Sequence, residues 1–255
     1  MTRAPILACN VLRPISRVLI VWIAVVWSML AGASDARQVF SGATHGWLRA
    51  VGKLQVPGQR YHEGRRSHYL EDCSATLVAR AGRSHADIII TAWHCLEWYG
   101  DLSRPITFTV VDTSGEPLHR EAYRLADGGG MHADWAILRL DNALQRSQVA
   151  ALAIHAEAAD PGQPIIMAGF SKDDGVGELG MALTFDPACA ITAQGREMGD
   201  TDCTAFKGAS GGAVVQLSEN GEPRICGVIS QGNGEGRSTF VPVGRFRSAL
   251  NRHMD

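Results

Sequence analysis

Short apolar runs rich in β-branched residues recur along the chain from Gln55 onward, separated by clusters of glycine, proline, aspartate and serine. This pattern predicts many short strands joined by turns, because no helical period is sustained before the C-terminal segment. Strands at this spacing are typical of a sandwich or of barrels. The predicted strands cover residues 74–79, 87–92, 106–111, 135–140, 165–169, 181–185, 212–216, 225–230 and 238–241.

Two segments depart from the strand pattern. In residues 243–254 the apolar positions recur at spacings of three and four with arginines between them, which predicts an amphipathic helix that closes the fold. Residues 141–164 are alanine-rich and polar and end in a turn that contains proline and glycine, so we interpret them as the connector between two lobes. Helix propensity also allows a helix over residues 143–154, and this alternative stays open.

The N-terminus has the pattern of an export signal. Three arginines precede an apolar run over residues 18–27, and small residues follow at positions 31–33. The run is shorter than the ~20 residues that cross a bilayer, so we predict a signal peptide over residues 1–33, with cleavage after Ala33 or after Ala36. An uncleaved membrane anchor is the alternative. After cleavage we expect a secreted or periplasmic protein without stable membrane association.

Charge and cysteine content narrow the class further. The chain has a formal net charge of −2, and removal of the signal takes away three arginines and no acid. The absence of a basic cluster argues against a nucleic-acid partner. Five cysteines would remain in an oxidising compartment, where disulfides persist. Because five is odd, at least one thiol is free or pairs outside the chain.

Three short segments carry residues suited to nucleophilic catalysis. They are TAWHC at residues 91–95, DWAIL at 134–138 and GASGG at 208–212. A neutral serine hydroxyl is a poor nucleophile, so it needs a base to take its proton and donors to bind the oxyanion. We therefore predict Ser210 as nucleophile, His94 as general base and Asp134 as the carboxylate that orients the imidazole. The backbone N–H groups of Gly208 and Ser210 are the predicted oxyanion hole.

The order of the segments separates two hydrolase classes. Gly-x-Ser-x-Gly also matches the nucleophile elbow of α/β-hydrolases, but in that fold the acid and the histidine follow the serine. Here His253 is the only histidine after Ser210. Taken singly, His94 would be a core histidine and Asp134 a turn residue. The other histidines are scattered without metal-ligand spacing, so no metal site is predicted.

In this order the three segments resemble the trypsin-like (chymotrypsin-fold) serine peptidases. The resemblance implies an all-β fold of two antiparallel six-stranded β-barrels with a C-terminal helix, and an active site in the cleft between the barrels. Residues 38–142 would form the N-terminal barrel, and residues 143–255 the C-terminal barrel and the helix. It implies a monomeric serine endopeptidase that needs no cofactor and cleaves proteins or peptides through an acyl-enzyme on Ser210. A secreted binding module that no longer cleaves is the rival hypothesis.

The same resemblance implies a disulfide between Cys73 and Cys95, which would fix the base on its scaffold. Cys189 and Cys203, just upstream of the serine segment, are the next expected pair. Cys226 lies in an apolar strand and is interpreted as a buried free thiol. A catalytic cysteine or a zinc site is the alternative, and the cysteine spacing gives it no support.

The chain departs from the digestive members of this family. Ala209 stands where they have the aspartate that pairs with a newly cut N-terminus, and their Ile-Val-Gly-Gly sequence is missing. We therefore infer that this salt bridge does not activate the protein, which looks closer to the bacterial glutamyl-endopeptidase-like branch.

Specificity residues are harder to assign. Thr204 occupies the position that is acidic in trypsins, which argues against a preference for basic residues. Ser230 and Gly232 resemble the strand that pairs with substrate backbone, and Ser230 is also expected to reach Asp134. The candidate substrate-binding residues are therefore Thr204, Ser230 and Gly232.

Overall fold

The structure, a computed structural model, describes residues 35–254, so the predicted signal peptide and its cleavage after Ala33 lie outside the described residues. The chain is mainly β. Its strands are β1 Gln38–Val39, β2 Val51–His62, β3 Arg65–Val78, β4 His85–Thr91, β5 Ile106–Val111, β6 Pro117–Asp127, β7 Ala136–Gln145, β8 Ala153–Ile154, β9 Ile165–Gly169, β10 Thr184–Cys189, β11 Ile191–Gln194, β12 Gly199–Thr201, β13 Ala213–Leu217, β14 Pro223–Gly232 and β15 Ser238–Pro242. Short 3-10 helices cover Gly46–Ala50, Trp93–Leu96, Glu178–Gly180 and Val243–Arg245, and the α-helix α1 covers Arg247–His253.

The first six long strands form a closed barrel in the order β2-β3-β4-β7-β6-β5. Alternation along the strands directs apolar side chains inward, as in β5, where Ile106, Phe108 and Val110 are buried and the residues between them are more exposed. Inward-facing residues of the other strands, such as Leu54 and Ile137, complete this interior. The closed barrel gives a rigid base to the segments at the ends of its strands.

The second sheet has nine strands in the order β1-β10-β9-β13-β14-β15-β12-β11, with β8 pairing in parallel with β14. The all-β, chymotrypsin-like fold is therefore confirmed, but the described residues contain one closed six-stranded barrel plus an open sheet instead of two closed barrels. The physical reason lies at Ala190. This residue alone separates β10 from β11, so the covalent chain, and not a hydrogen-bonded ladder, joins these two strands.

The segment predicted as a connector is not helical. β7 continues to Gln145, where Leu144 is buried and pairs with Ala86 of β4, and β8 then pairs with β14. Tertiary pairing thus overrides the helix propensity of the alanines. The predicted division of the chain at residue 142 stays a prediction. β1, however, pairs with β10 in the second sheet.

The C-terminal helix is confirmed as α1, preceded by one 3-10 turn. It packs through Leu250 and through Phe246, which stacks on Trp135 at a centroid distance of 5.6 Å. Within residues 35–254 no helix is long and apolar enough to cross a bilayer.

Candidate active site

His94 lies on the 3-10 turn Trp93–Leu96, directly after β4 leaves the closed barrel. Its side chain is 25% exposed, so the ring is held on one edge and open on the other. The next residue, Cys95, forms a disulfide with Cys73 of β3. The disulfide and the barrel strand therefore fix the backbone on which the imidazole is mounted.

Asp134 is completely buried and accepts three hydrogen bonds. His94 Nδ1 lies 2.8 Å from its Oδ2, the backbone N–H of His94 donates to Oδ1 at 2.9 Å, and Ser230 Oγ donates to Oδ2 at 2.6 Å. An ionised carboxylate only accepts, so Nδ1 of the ring carries the proton in this pair. His94 Nε2 is then the free acceptor that a serine hydroxyl requires.

The turn between β6 and β7 places Asp134 at this position. Gly128 N–H donates to the carbonyl of Trp135 at 3.0 Å, and Gly129 N–H donates to Asp127 at 2.8 Å. A Cβ atom at position 128 would lie 1.8 Å from the carbonyl oxygen of Ala133. Only glycine fits at position 128, so this residue allows the close packing next to the buried carboxylate.

Ser210 lies on a glycine-containing turn that leads into β13. Its carbonyl accepts the N–H of Ser74, from the closed barrel, at 2.8 Å. Its hydroxyl donates to the carbonyl of Ser230 at 3.4 Å, and within residues 35–254 no hydrogen bond joins it to the ring of His94. Ser230 is therefore the residue that touches both halves of the site, since its own hydroxyl donates to Asp134.

The predicted oxyanion hole has two free donors. In the described part of the chain, the N–H groups of Gly208 and Ser210 donate to no protein acceptor. The carbonyl of Lys207 accepts the N–H of Lys172 at 2.7 Å, and that of Ala209 accepts the N–H of Gly212 at 2.9 Å. Because C=O and N–H point in opposite directions across a trans peptide, both free N–H groups are directed away from these bonds.

The candidate specificity residues lie on two segments that touch each other. Thr204 N–H donates to Oδ2 of Asp186 at 3.0 Å, and burial raises the pKa of that carboxyl. Gly234 N–H donates to the carbonyl of Ala205 at 3.0 Å, and a Cβ at Gly232 would lie 2.3 Å from the same oxygen. The space between these segments is therefore narrow.

Both expected disulfides, Cys73–Cys95 and Cys189–Cys203, are present. Cys226 is a buried free thiol, and burial raises its pKa to about 12, which keeps it unreactive. One cluster with metal-ligand chemistry occurs within the described ranges, namely Cys73, His94 and Cys95. Because its two sulfur atoms are bonded to each other, they are not thiolate ligands and the cluster does not suit a metal.

Sequence reasoning missed the residue that joins the two sheets beside the serine. Ser74 is buried, and its hydroxyl donates to the carbonyl of Gly208 at 2.9 Å while it accepts the N–H of Phe170 at 2.9 Å. Its position next to Cys73 is the only signal in the sequence. It also missed Arg37, which is buried although it is charged.

Comparison with known proteins agrees with this geometry. The family model for the trypsin-like peptidase domain matches residues 73–223, which include His94, Asp134 and Ser210. No curated protein matches the sequence.

Solved structures share the fold at low identity. The protease Anisep from Arthrobacter nicotinovorans is 19% identical, with a TM-score of 0.61 over 85% of this chain and 98% of that one. The thermostable serine protease AL20 from an extremophilic microorganism is 18% identical, with a TM-score of 0.58 over 81% and 95%. The active form of the Rv3671c protease from M. tuberculosis is 16% identical, with a TM-score of 0.54 over 84% and 87%. Because the family model covers more than half of the sequence, the chain belongs to the trypsin-like peptidase family.

Proposed function

We propose that the protein is a secreted serine endopeptidase that hydrolyses peptide bonds through an acyl-enzyme on Ser210. One observation carries the proposal: the buried carboxylate of Asp134 binds both His94 Nδ1 and the hydroxyl of Ser230, whose carbonyl accepts the hydroxyl of Ser210. Ser230 thus links Asp134, which binds the imidazole of His94, to the hydroxyl of Ser210. Peptide or protein substrates, a monomeric state and independence from cofactors are parts of the same proposal.

The first half-reaction requires one side-chain rotation. Ser210 Oγ leaves the carbonyl of Ser230 and donates its hydrogen bond to His94 Nε2 after rotation about the side-chain torsion of Ser210. Oγ then bonds to the substrate carbonyl carbon while its proton moves to Nε2, and Asp134 stabilises the imidazolium. The N–H groups of Gly208 and Ser210 bind the oxyanion.

The second half-reaction restores the enzyme. His94 gives its proton to the leaving nitrogen as the C–N bond breaks, which leaves an ester on Ser210. Water then attacks the ester with His94 as base, and the hydroxyl of Ser210 is regenerated.

The location of the protein and its branch within the family are proposed from different observations. The export pattern of residues 1–33 and the two disulfides support a secreted or periplasmic protein. Ala209, which offers no carboxylate to a new N-terminus, supports a place near the glutamyl-endopeptidase-like branch. Profiling of cleavage across a peptide library measures the preferred side chain at the cleavage site, and a preference for basic residues would contradict the interpretation of Thr204.

A fluorophosphonate probe tests the activity directly. The purified mature protein is expected to become labelled at Ser210, and Ser210→Ala is expected to abolish labelling. Ser218→Ala is the matched control, because within residues 35–254 that hydroxyl accepts the N–H of Glu222 and makes no other hydrogen bond. If the folded wild-type protein stays unlabelled, the hypothesis of a binding module replaces this one.

A further inference from the structure

A buried arginine lies near the start of the described chain. The side chain of Arg37 is 2% exposed, and its guanidinium binds two carboxylates. Nη1 and Nη2 donate to the two oxygens of Asp173 at 2.8 and 2.9 Å, while Nε and Nη2 donate to Asp35. A buried cation is tolerated only when it is paired in this way, and the loss of either partner is costly.

The same guanidinium contacts the segment that bears the nucleophile. It lies over the ring of Phe206, 4.4 Å from the centroid, a distance at which a cation is attracted to the face of an aromatic ring. We call residues 206–210 the serine turn, because the carbonyl of Phe206 accepts the N–H of Ala209 at 3.0 Å and Ser210 follows. Arg37 therefore touches the first residue of the serine turn.

Asp173, on the other side of Arg37, ends a segment that supports this turn. We call residues 170–173 the anchor segment. Its Lys172 donates the N–H that binds the carbonyl of Lys207, and its Phe170 carbonyl lies where a Cβ at Gly208 would come within 2.5 Å. The serine turn thus rests on the anchor segment at two successive residues, and Arg37 holds both segments at once.

The contact between the two segments fixes the direction of one oxyanion donor. The carbonyl of Lys207 points to Lys172, so the N–H of Gly208 in the same peptide points the opposite way. If the anchor segment moved, this peptide would be free to rotate and present its carbonyl where the oxyanion must bind. A carbonyl there repels the charge that the donor should stabilise.

We propose that Arg37 is a positioning residue for the oxyanion hole, which clamps the anchor segment against the serine turn and so keeps Gly208 N–H directed towards the substrate. The inference rests on the proposed function. Ala209 has no carboxylate for a cation to hold. The cation is instead the side chain of Arg37, which contacts Phe206 of the serine turn and Asp173 of the anchor segment.

Arg37→Gln in the full chain, purified after export, tests the proposal. We expect kcat to fall about 10- to 100-fold, somewhat less than the loss of a whole oxyanion donor, with KM changed less than about twofold. Affinity for a peptide aldehyde, whose adduct with Ser210 places an oxyanion in the hole, should fall in parallel with kcat. Arg37→Lys should restore part of both, since an ammonium keeps the charge but not the bidentate geometry.

Arg247→Gln is the matched control. Arg247 also donates several hydrogen bonds, to the carbonyls of His155, Ala156 and Glu157, but it touches neither segment. Its substitution should leave kcat and aldehyde affinity unchanged. Equal losses in Arg37→Gln and Arg247→Gln would reduce the role of Arg37 to stability and overturn the proposal.

Three further outcomes distinguish a failure of the proposed clamp from a failure of the proposed function. If Arg37→Gln does not fold, Asp173→Asn, which removes only one partner of the clamp, should show the same fall in kcat at constant KM. Unchanged kcat and aldehyde affinity in a folded Arg37→Gln protein would overturn the clamp and leave the endopeptidase proposal intact. An unlabelled wild-type protein would instead remove the proposed function, and the clamp with it.

Discussion

The two halves of the candidate site are held by different kinds of contact. His94 and Asp134 are fixed by side-chain hydrogen bonds, a disulfide and a closed barrel. The serine turn is fixed mainly by main-chain hydrogen bonds, close glycine packing and a cation from a remote segment. The first half therefore depends on the identity of a few residues. The second depends on how the backbone is supported, so substitutions outside the turn should affect it.

Asp134→Asn should have the largest effect on kcat, because it changes a side chain in the half of the site formed by His94 and Asp134. An amide at this position no longer holds His94 in the productive tautomer, so we expect kcat to fall about 10⁴-fold. Asp141→Asn, at an exposed position of β7, should leave kcat unchanged. A loss of only a few-fold in Asp134→Asn would contradict the orienting role.

Gly208→Ala should disturb the main-chain half where the serine turn contacts the anchor segment. Gly208 has a φ of +95°, and an added Cβ would lie 2.5 Å from the carbonyl oxygen of Phe170. The turn must shift, and we expect kcat to fall about 100-fold or more with little change in KM. Gly221→Ala is the control, since its φ of +75° is similar but its surroundings are open. If both substitutions reduce kcat equally, the contact with Phe170 does not position the donor.

Removal of each disulfide in turn distinguishes an effect on the free energy of unfolding from an effect on the position of His94. The bonds close loops of 22 and 14 residues, so replacement of either pair by alanine should cost about 3 kcal/mol in the free energy of unfolding. Only loss of the Cys73–Cys95 bond should also lower kcat, because it anchors the backbone beside His94. Thermal unfolding and kcat measured well below the midpoint distinguish the two effects. An equal fall in kcat for both pairs would contradict this distinction.

The smallest expected effect is a pH dependence of the clamp. The hydrogen bond from Arg37 lowers the pKa of Asp173, and a hydrogen bond from the same guanidinium lowers the pKa of Asp35. A lowered folded-state pKa contributes stability that is present above the unfolded value and is lost as the pH falls through the folded value. Stability should therefore decline below about pH 4, and Arg37→Gln should flatten that decline.

The pKa of Asp186 is shifted in the opposite direction to the pKa values of Asp173 and Asp35. Burial raises its pKa, so its contribution is present at low pH and is lost as the pH rises through the folded value. Asp186→Asn should accordingly raise the unfolding midpoint near neutral pH while leaving the decline below pH 4 in place. Thermal unfolding between about pH 3 and 7 measures both slopes. Asp186→Asn with an unchanged midpoint at neutral pH would contradict this assignment.

The sequence provided candidates for the residues that are proposed to act through their side chains, but it gave little information about the contacts that support the backbone around them. His94, Asp134 and Ser210 each stand in a short segment that resembles the family's motifs, and the same resemblance implied the disulfide between Cys73 and Cys95. The helix α1 followed from its apolar spacing. These features are local, so their pattern can be recognised in one sequence.

The parts that escaped prediction depend on contacts between distant residues. Arg37 and Asp173 are 136 residues apart, and nothing in a single sequence marks an arginine as buried. Of the long hairpin of β2 and β3, only the end of β3 was predicted, because Pro57 and Gly58 interrupt the β-prone pattern while the pairing continues through them. The open second sheet likewise depends on strand order, which propensity does not encode.

Under the proposed export and the proposed clamp, the bond between Asp35 and Arg37 makes the position of signal cleavage a determinant of catalytic competence. A signal peptidase that cut after Ala36 would discard Asp35 and leave the guanidinium with Asp173 as its single carboxylate partner. A cut after Ala33 would deliver the complete pair. N-terminal sequencing of the mature protein therefore reports whether Arg37 keeps both of its carboxylate partners after processing.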